Sequence, residues 1–360
     1  MKKIIISMAL LIAGVIFITN GYNCGKDTSD LPGDKTNAIT ETPTASVTIR
    51  IGFPRKGLIL NHYGETLSRT NILAKNSLVG SINPIEDEVA LRTAVINKSL
   101  DAAFISDFQA ILTLGADFNG VIIANLGSLG RSDLMVLIDS PIQKISELKG
   151  KKIGVTLNTS EHSALLGWLR REGLQEGRDV ELVNTNDNDK LNALQGFKID
   201  ALVTIDPRVE DYTRKKLCRS IYDSHNYGVV LMAKDFYRQQ PQAALRFVNA
   251  LKETTLFIST HKPDVNNWIK GYCGIEEDLI WGVASINIGY FSTRKINDAK
   301  IYLSDTFAGN LKNLAAYALQ QKLIYKTLIV NDLMVQELQD EAKKEIDPLK
   351  YDPAGVKVIK

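Results

Sequence analysis

Cysteine and histidine are scarce in this 360-residue chain, with three of the first and four of the second. No two cysteines stand in a C-x-x-C spacing, and His62, His162, His225 and His261 are scattered, so neither a metal site nor a thiol redox pair is supported. Cys218 and Cys273 are far apart; an exported compartment would permit a bridge between them, but their spacing does not establish one. Charge of one sign is missing too: the formal net charge is +2, and Lys2 and Lys3 account for two positive charges at the very start. Without a concentrated basic face there is no electrostatic reason to expect nucleic acid. A nucleophile elbow, a Walker A loop and an H-E-x-x-H pair are absent as well. With 44% hydrophobic and 23% charged residues, the chain has ample apolar surface for a core, which excludes global disorder.

What is present begins at the N-terminus. Met1-Lys2-Lys3 precedes an uncharged apolar run, Ile4–Ile18, of 15 residues. A membrane span needs about 20, and a basic start with a shorter run is the pattern of an export signal, here residues 1–23. Cys24 follows directly, a position that suggests lipid attachment as in bacterial lipoproteins. Gly21-Tyr22-Asn23 departs from the small residues usual before such a cysteine, so a secreted form without lipid stays open. Residues 24–46 are polar and hold almost no large apolar side chain; they cannot offset their ordering entropy and read as a flexible tether.

After the tether, Val47–Phe53 alternates as a strand does. Strands and helices then take turns: a helix near Glu86–Asn97, a strand over Ala102–Ile105, a helix from Asp107 to about Leu114, and strands over Val121–Asn125 and Leu134–Ile138. Ile153–Val155 enters a strand. Glu161–Leu174 is a helix with Leu165, Leu166 and Leu169 on its period and Thr159 or Ser160 as its cap. Val180–Val183 and Ala201–Ile205 are strands flanking a helix over Asp189–Phe197. This alternation predicts an α/β fold with parallel strands. From Gln240 onward the pattern changes to long helices, through Phe247–Thr260, Glu276–Asn287, Asn297–Gln321 and Leu328–Glu341; the basic end KVIK has no assignment.

One pattern recurs. Ser99–Asp107 (SLDAAFISD) resembles Lys198–Asp206 (KIDALVTID): each has Asp-Ala entering a short apolar strand and a second Asp six residues after the first. The recurrence predicts two similar lobes, each presenting Asp107 or Asp206 at the carboxyl edge of an equivalent strand, where open α/β sheets bind ligands. Each Asp can instead cap the helix that follows it.

These segments, in this order, resemble periplasmic solute-binding proteins of ABC importers, of the sulfonate, taurine, nitrate and thiamine-precursor type. The carriers are VTIRIGF, KSLDAAFISD, DSPIQKISELKGKKIGV, LNTSEHSALLGWLRREGL and GFKIDALVTIDPRVEDY. The resemblance implies a two-lobed periplasmic-binding-protein-like (type II) fold that closes over a ligand on a two-strand hinge, with C-terminal helices packed on lobe one. Lobe one would comprise residues 47–131 and 227–345, lobe two residues 132–226, and residues 346–360 a tail. It further implies an extracytoplasmic binding component rather than an enzyme, without cofactor or metal, acting as a monomer with an ABC permease and its ATPase. A sensing domain of a membrane receptor, or an enzyme of the thiamine-pyrimidine-precursor type, are the alternatives. No cysteine cluster of the latter occurs.

Candidate ligand contacts follow from the chemistry of helix starts and strand ends. Asn158, Thr159 and Ser160 precede a helix whose free N–H groups suit an anionic head. Glu161 in its first turn complements the helix dipole and is expected to face outward; facing inward, it would repel an anion and favour an amine or a neutral ring. Ser106 with Asp107, and Asp206 with Pro207 and Arg208, sit at the two equivalent turns; Ile205 stands where relatives often carry Trp, which leaves the ligand class open. Arg55 and Lys56, in the loop after the first strand, and Arg131 at the crossing are candidate cations. The export reading has a direct check: membrane-fraction protein is expected to show a lipid-modified terminus at Cys24 by mass analysis, and an intact Met1 in cytoplasmic protein would overturn it.

Overall fold

The computed structural model describes residues 46–55, 57–273, 276–286 and 292–359. The export signal, Cys24, the tether as far as residue 45 and Lys56 lie outside the described residues. Eight strands form one mixed sheet: β1 (Val47–Pro54), β2 (Leu78–Ile85), β3 (Ala102–Ser106), β4 (Gly120–Leu137), β5 (Lys152–Val155), β6 (Glu181–Asn184), β7 (Ala201–Ile205) and β8 (Cys218–Ala233). Their order is β2-β1-β3-β8-β4-β7-β5-β6. β1 is parallel to β2 and β3, and β5 is parallel to β6 and β7, so the two ends of the sheet repeat one arrangement. Between them the long strands β4 and β8 run antiparallel and belong to both halves.

Each half is a two-lobed fold's ordinary sandwich, with helices on both faces. Alternation along β3 sends Ala102 and Phe104 into one apolar cluster and Ala103 and Ile105 into another. Along β7, Ala201 and Val203 go to one face and Leu202 to the other. The helix Pro241–Thr260 fills the first of these clusters with Phe247, Val248 and Leu251, and the helix Asp305–Gln320 fills the second with Phe307 and Leu311.

The recurrence has a physical basis. The first Asp of each copy clamps two parallel strands: Asp101 accepts the N–H of Arg50 on β1 at 2.8 Å, and Asp200 accepts the N–H of Lys152 on β5 at 2.9 Å. The second Asp of each copy reaches a crossing strand. Asp107 accepts the N–H of Tyr227 on β8 at 3.3 Å, and Asp206 accepts the N–H of Arg131 on β4 at 2.7 Å.

Several elements differ from their sequence reading. The strands expected over Val121–Asn125 and Leu134–Ile138 are one 18-residue strand, β4. Gly127 and Gly130, at φ 85° and 135°, interrupt the apolar pattern, but the ladder to β8 continues through register shifts there; bulges bend a strand without ending it. β8 escaped notice because Cys218–Asn226 is polar, and it is held by pairing with β4. The helix Leu58–Arg69 was hidden by Asn61, His62 and Glu65, all buried. Asn297–Gln321 is helical only from Asp305, after the Ser304 cap, and Leu328–Glu341 divides into Val330–Leu333 and Gln336–Glu345. Residues 357–359 bond along Arg69–Asn71, through Ile359 N–H to the Arg69 carbonyl at 2.8 Å and Lys357 N–H to Asn71 Oδ1 at 2.7 Å. Cys218 is a free, buried thiol, and the side chain of Cys273 lies outside the described residues.

Burial leaves a pH signature. It pushes the carboxyls of Asp107 and Asp133 up to about 7 and the imidazole of His62 down to about 4. Between an unfolded carboxyl at roughly 3.9 and the folded value, the native state holds more protons, so these acids make stability fall as pH rises through that window. His62 acts oppositely, but only between about 4 and 6.5. Between about pH 6.5 and 7 these acids act without His62, and the melting temperature is expected to fall there and level off above. Asp133→Asn should flatten that fall; an unchanged slope in the variant would count against a buried acid there.

Candidate functional site

A cavity of about 290 Å³ opens where the two halves face each other. The first half contributes Pro54, Gly57, Leu60, Asp87, Glu88 and Ser106; the crossing strands contribute Leu129, Gly130, Arg131 and Asn226; the second half contributes Ser160, Ile205 and Asp206. A smaller chamber of about 190 Å³ shares Glu88, Ser106, Ser160 and Ile205 and adds Thr159, Glu161 and Asp187 among others, so the two form one cleft.

Among the described residues Arg131 is the cation of the larger chamber, and its position is set by the acids bound to it. Its Nε lies 3.2 Å from Asp206 Oδ2, one Nη2 hydrogen bond goes to Asp206 Oδ1 at 3.3 Å, and another to Glu210 Oε2 at 2.6 Å. Burial works against the charged guanidinium, but Asp206, Asp133 and Glu210 outweigh it and hold its pKa above the ordinary value. Asp206 also accepts the N–H of Glu210 at 3.1 Å. Its carboxylate lines the cavity yet is filled by four donors from the protein, two of them in the Arg131 side chain. The next peptide, Asp206–Pro207, is cis. Gly130 must be glycine: its φ is 135°, and a Cβ there would stand 2.8 Å from Asp206 Cβ.

The second half offers a helix start. Asn158 adopts a left-handed φ of 61°, which Asn tolerates. Thr159 is the N-cap; its Oγ1 accepts from His162 N–H at 3.4 Å and donates to the Thr156 carbonyl at 2.6 Å. Ser160 lines both chambers, and its hydroxyl has no protein hydrogen bond among the described residues. Glu161 does not face outward. It is buried, 2.5 Å from the ammonium of Lys190, which also binds Asp187 at 2.6 Å. Burial raises its carboxyl pKa, with Lys190 opposing. The helix bearing Lys190 was expected, but a lysine buried on it was not, because nothing in its spacing sets it apart from a solvated charge.

Asp107 lines neither chamber. It is 2% exposed, and its carboxylate accepts Phe108 N–H at 2.8 Å, Tyr227 N–H and the Asn310 amide at 2.7 Å. Lone-pair capacity spent on three protein donors and a position beneath the cleft floor correct its assignment as a ligand contact. In the same half, Glu88 does face the cleft, beside Asp87, and it accepts Ser106 N–H at 2.7 Å and Ser106 Oγ–H at 2.6 Å. Burial lifts its pKa against those two bonds. Ser106 therefore lines the cleft with its hydroxyl already donated. Arg55, at the end of β1, and Asn158, before the helix start, are exposed, and neither is part of the lining. Glu88 and Asn226 were missed; the Glu86-Asp87-Glu88 run at a helix start was the available signal for the first.

A bond crosses from half to half beside the cleft. Tyr317 Oη, on the helix Asp305–Gln320, lies 2.8 Å from His162 Nδ1. Asn158 N–H also points at that nitrogen, at 3.3 Å. A backbone N–H only donates, so Nδ1 accepts, the imidazole is neutral with its proton on Nε2, and Tyr317 is the donor. Burial keeps the pKa of His162 low, with Glu176 opposing.

The arrangement of two α/β halves on a crossing pair of strands, with an interlobe cleft, is that of the periplasmic-binding-protein-like fold. The sulfonate-binding protein SsuA of Methylobacillus flagellatus superposes with a TM-score of 0.69 at 17% identity, covering 84% of this chain and 96% of its own. The aliphatic sulphonate binding protein SsuA of Escherichia coli gives 0.66 at 16% identity, covering 80% and 92%. A mutant of DszB, in complex with biphenyl-2-sulfinic acid, gives 0.63 at 15% identity, covering 83% and 99%. Residues 78–264, more than half of the chain, match the family described as NMT1/THI5 like, and the chain belongs to that family. No curated protein matches it in sequence.

Two substitutions separate scaffold from contact. Asp206→Asn removes a carboxylate from a buried pair and is expected to cost about 3 kcal/mol in urea unfolding, the low end for breaking such a pair because Glu210 stays bonded to Arg131. Ser160→Ala removes a hydroxyl without a protein partner; it should leave stability within about 0.5 kcal/mol. The reverse ranking would show that Asp206, not Ser160, is the dispensable group.

Proposed function

We propose that this protein is the extracytoplasmic solute-binding component of an ABC importer, capturing a small organic or oxyanion ligand between two lobes. The observation that carries this reading is the composition of the cleft. Arg131 and the unpaired Ser160 hydroxyl, at a helix N-terminus, suit an anionic head such as a sulfonate or carboxylate. Pro54, Leu60, Leu129 and Ile205 supply an apolar wall for the rest of the molecule. Sulfonate binding by two structural neighbours supports the same chemistry.

In this reading lobe one comprises residues 47–131 and 227–345, and lobe two residues 132–226. A lipid at Cys24 and the tether hold the monomer near its permease and ATPase. Catalysis is disfavoured by the cysteine chemistry: Cys218 lines neither chamber, and burial pushes its thiol up to about 11, away from a nucleophilic thiolate. DszB, described as a desulfurization enzyme, shares the fold, so turnover belongs in the test.

Titration calorimetry with alkanesulfonates, carboxylates, nitrate and aminopyrimidines is the experiment. Saturable one-to-one binding of an anion, weakened in Arg131→Met and returned unchanged by mass spectrometry, is expected. Binding confined to neutral or cationic compounds, or conversion of the bound compound, would overturn the proposal. Closure adds a second expectation. The Tyr317–His162 bond exists only while the lobes meet, so Tyr317→Phe should weaken ligand affinity by roughly 2- to 12-fold, the worth of one hydrogen bond. Wild-type affinity in Tyr317→Phe would show that this bond does not hold the closed state.

A further inference from the structure

The helix Pro241–Thr260 is the 20-residue centre of the first half, and it carries a charge that this environment does not neutralise. Lys252 is 4% exposed, yet its ammonium has no hydrogen bond or ion pair among the described residues. A lysine in such surroundings normally carries its charge out to water or meets a carboxylate. Lys252 instead lines a cavity of about 250 Å³, walled also by Ile296, Asn297, Tyr302 and Lys343. Water occupies about 30 Å³ per molecule in the liquid, so the space exceeds what a single solvent molecule fills.

Among the described residues, no carboxylate belongs to that wall. Lys343 leans over the Tyr302 ring at 4.5 Å, with Asp340 Oδ1 3.2 Å from its Nζ. Glu345 is the other acid near Lys252, and its Oε2 is taken by the Asn249 amide at 2.7 Å. Two ammonium groups therefore border one small space without an anion between them.

We propose that this cavity is a second ligand site, specific for a small oxyanion of the phosphate or carboxylate class, held between Lys252 and Lys343. The amide of Asn297 and the hydroxyl of Tyr302 supply neutral donors at the same wall. The site shares no residue with the cleft and stands or falls independently of the importer reading. Burial, and then Lys343, push the pKa of Lys252 down to about 8, with Glu345 opposing. A bound anion favours the protonated amine, so affinity is highest below pH 8 and falls as pH rises through it.

The test uses the full chain in chloride buffer, with inorganic phosphate, sulfate and acetate as probes. At pH 7, one phosphate per chain is expected by titration calorimetry, together with a rise in melting temperature. Lys252→Met and Lys343→Met should each weaken it by about tenfold or more, as expected for losing one charged contact. Ser160→Ala, a change confined to the cleft, should retain it. Met matches the lysine stem in length, and Lys252→Arg, which keeps the charge, provides a second variant that should still bind. Vesicles of phosphatidylglycerol and of phosphatidylcholine distinguish the source of the group: Lys252-dependent binding to the first alone would assign a lipid headgroup, and binding only of free phosphate a soluble anion. No response to any of the three anions at millimolar concentration, or equal responses in wild type and Lys252→Met, would overturn the site.

Discussion

Everything in the cleft depends on two carboxylates that grip the crossing strands. Asp206 holds the backbone of β4 at Arg131, and Asp107 holds that of β8 at Tyr227. Each belongs to a different half and sits at the same place in its half. A buried carboxylate accepting several N–H groups is expensive to form and more expensive to disturb. The strand pair is therefore fixed at two points, and Gly130, which tolerates neither a Cβ nor an ordinary φ, lies against one of them. Arg131 reaches the cleft because its own backbone and side chain are both bound to Asp206.

The Asn310 amide extends the same grip to the helix Asp305–Gln320. It bonds to Asp107, and two turns further along Tyr317 reaches His162 in the other half. Phe108 packs against the Tyr317 ring at 6.0 Å between centroids, which keeps the hydroxyl aimed across the gap. The helix start that carries Ser160 is thus tied to the first half through a neutral histidine three residues from its cap. Contact between the halves and order in the turn that lines the cleft rest on the same few atoms.

The α/β alternation and the repeated Asp-Ala strands were legible because period and turn chemistry are local properties. β7 is found where the sequence places it, and β3 is one residue longer. What the sequence conceals is long-range. Cys218–Asn226 has no alternation of its own because β4 supplies its hydrogen bonds, and Asn61, His62 and Glu65 look solvated until the helix is buried around them. At the site, the Asp107 and Asp206 spacing is visible but its purpose is not: an acid at a strand end looks the same whether it faces a ligand or a backbone N–H. Lys190 and Glu161 show the converse, two charges that lie 29 residues apart and neutralise each other only in the folded chain.

The place of β8 in the sheet has a consequence for how the chain assembles. β8 lies between β3 and β4, antiparallel to both, although it is the last strand in sequence. As the polypeptide lengthens from its N-terminus, β1 to β3 can form one ribbon and β4 to β7 another, each left with an open edge. Those edges are a template for the wrong partner, in the same chain or in a neighbour, until residues 218–233 arrive. Insertion of a single strand, polar in its first part and apolar from Val229 to Ala233, thus converts two half-sheets into one, and the interval before it leaves the chain exposed to aggregation.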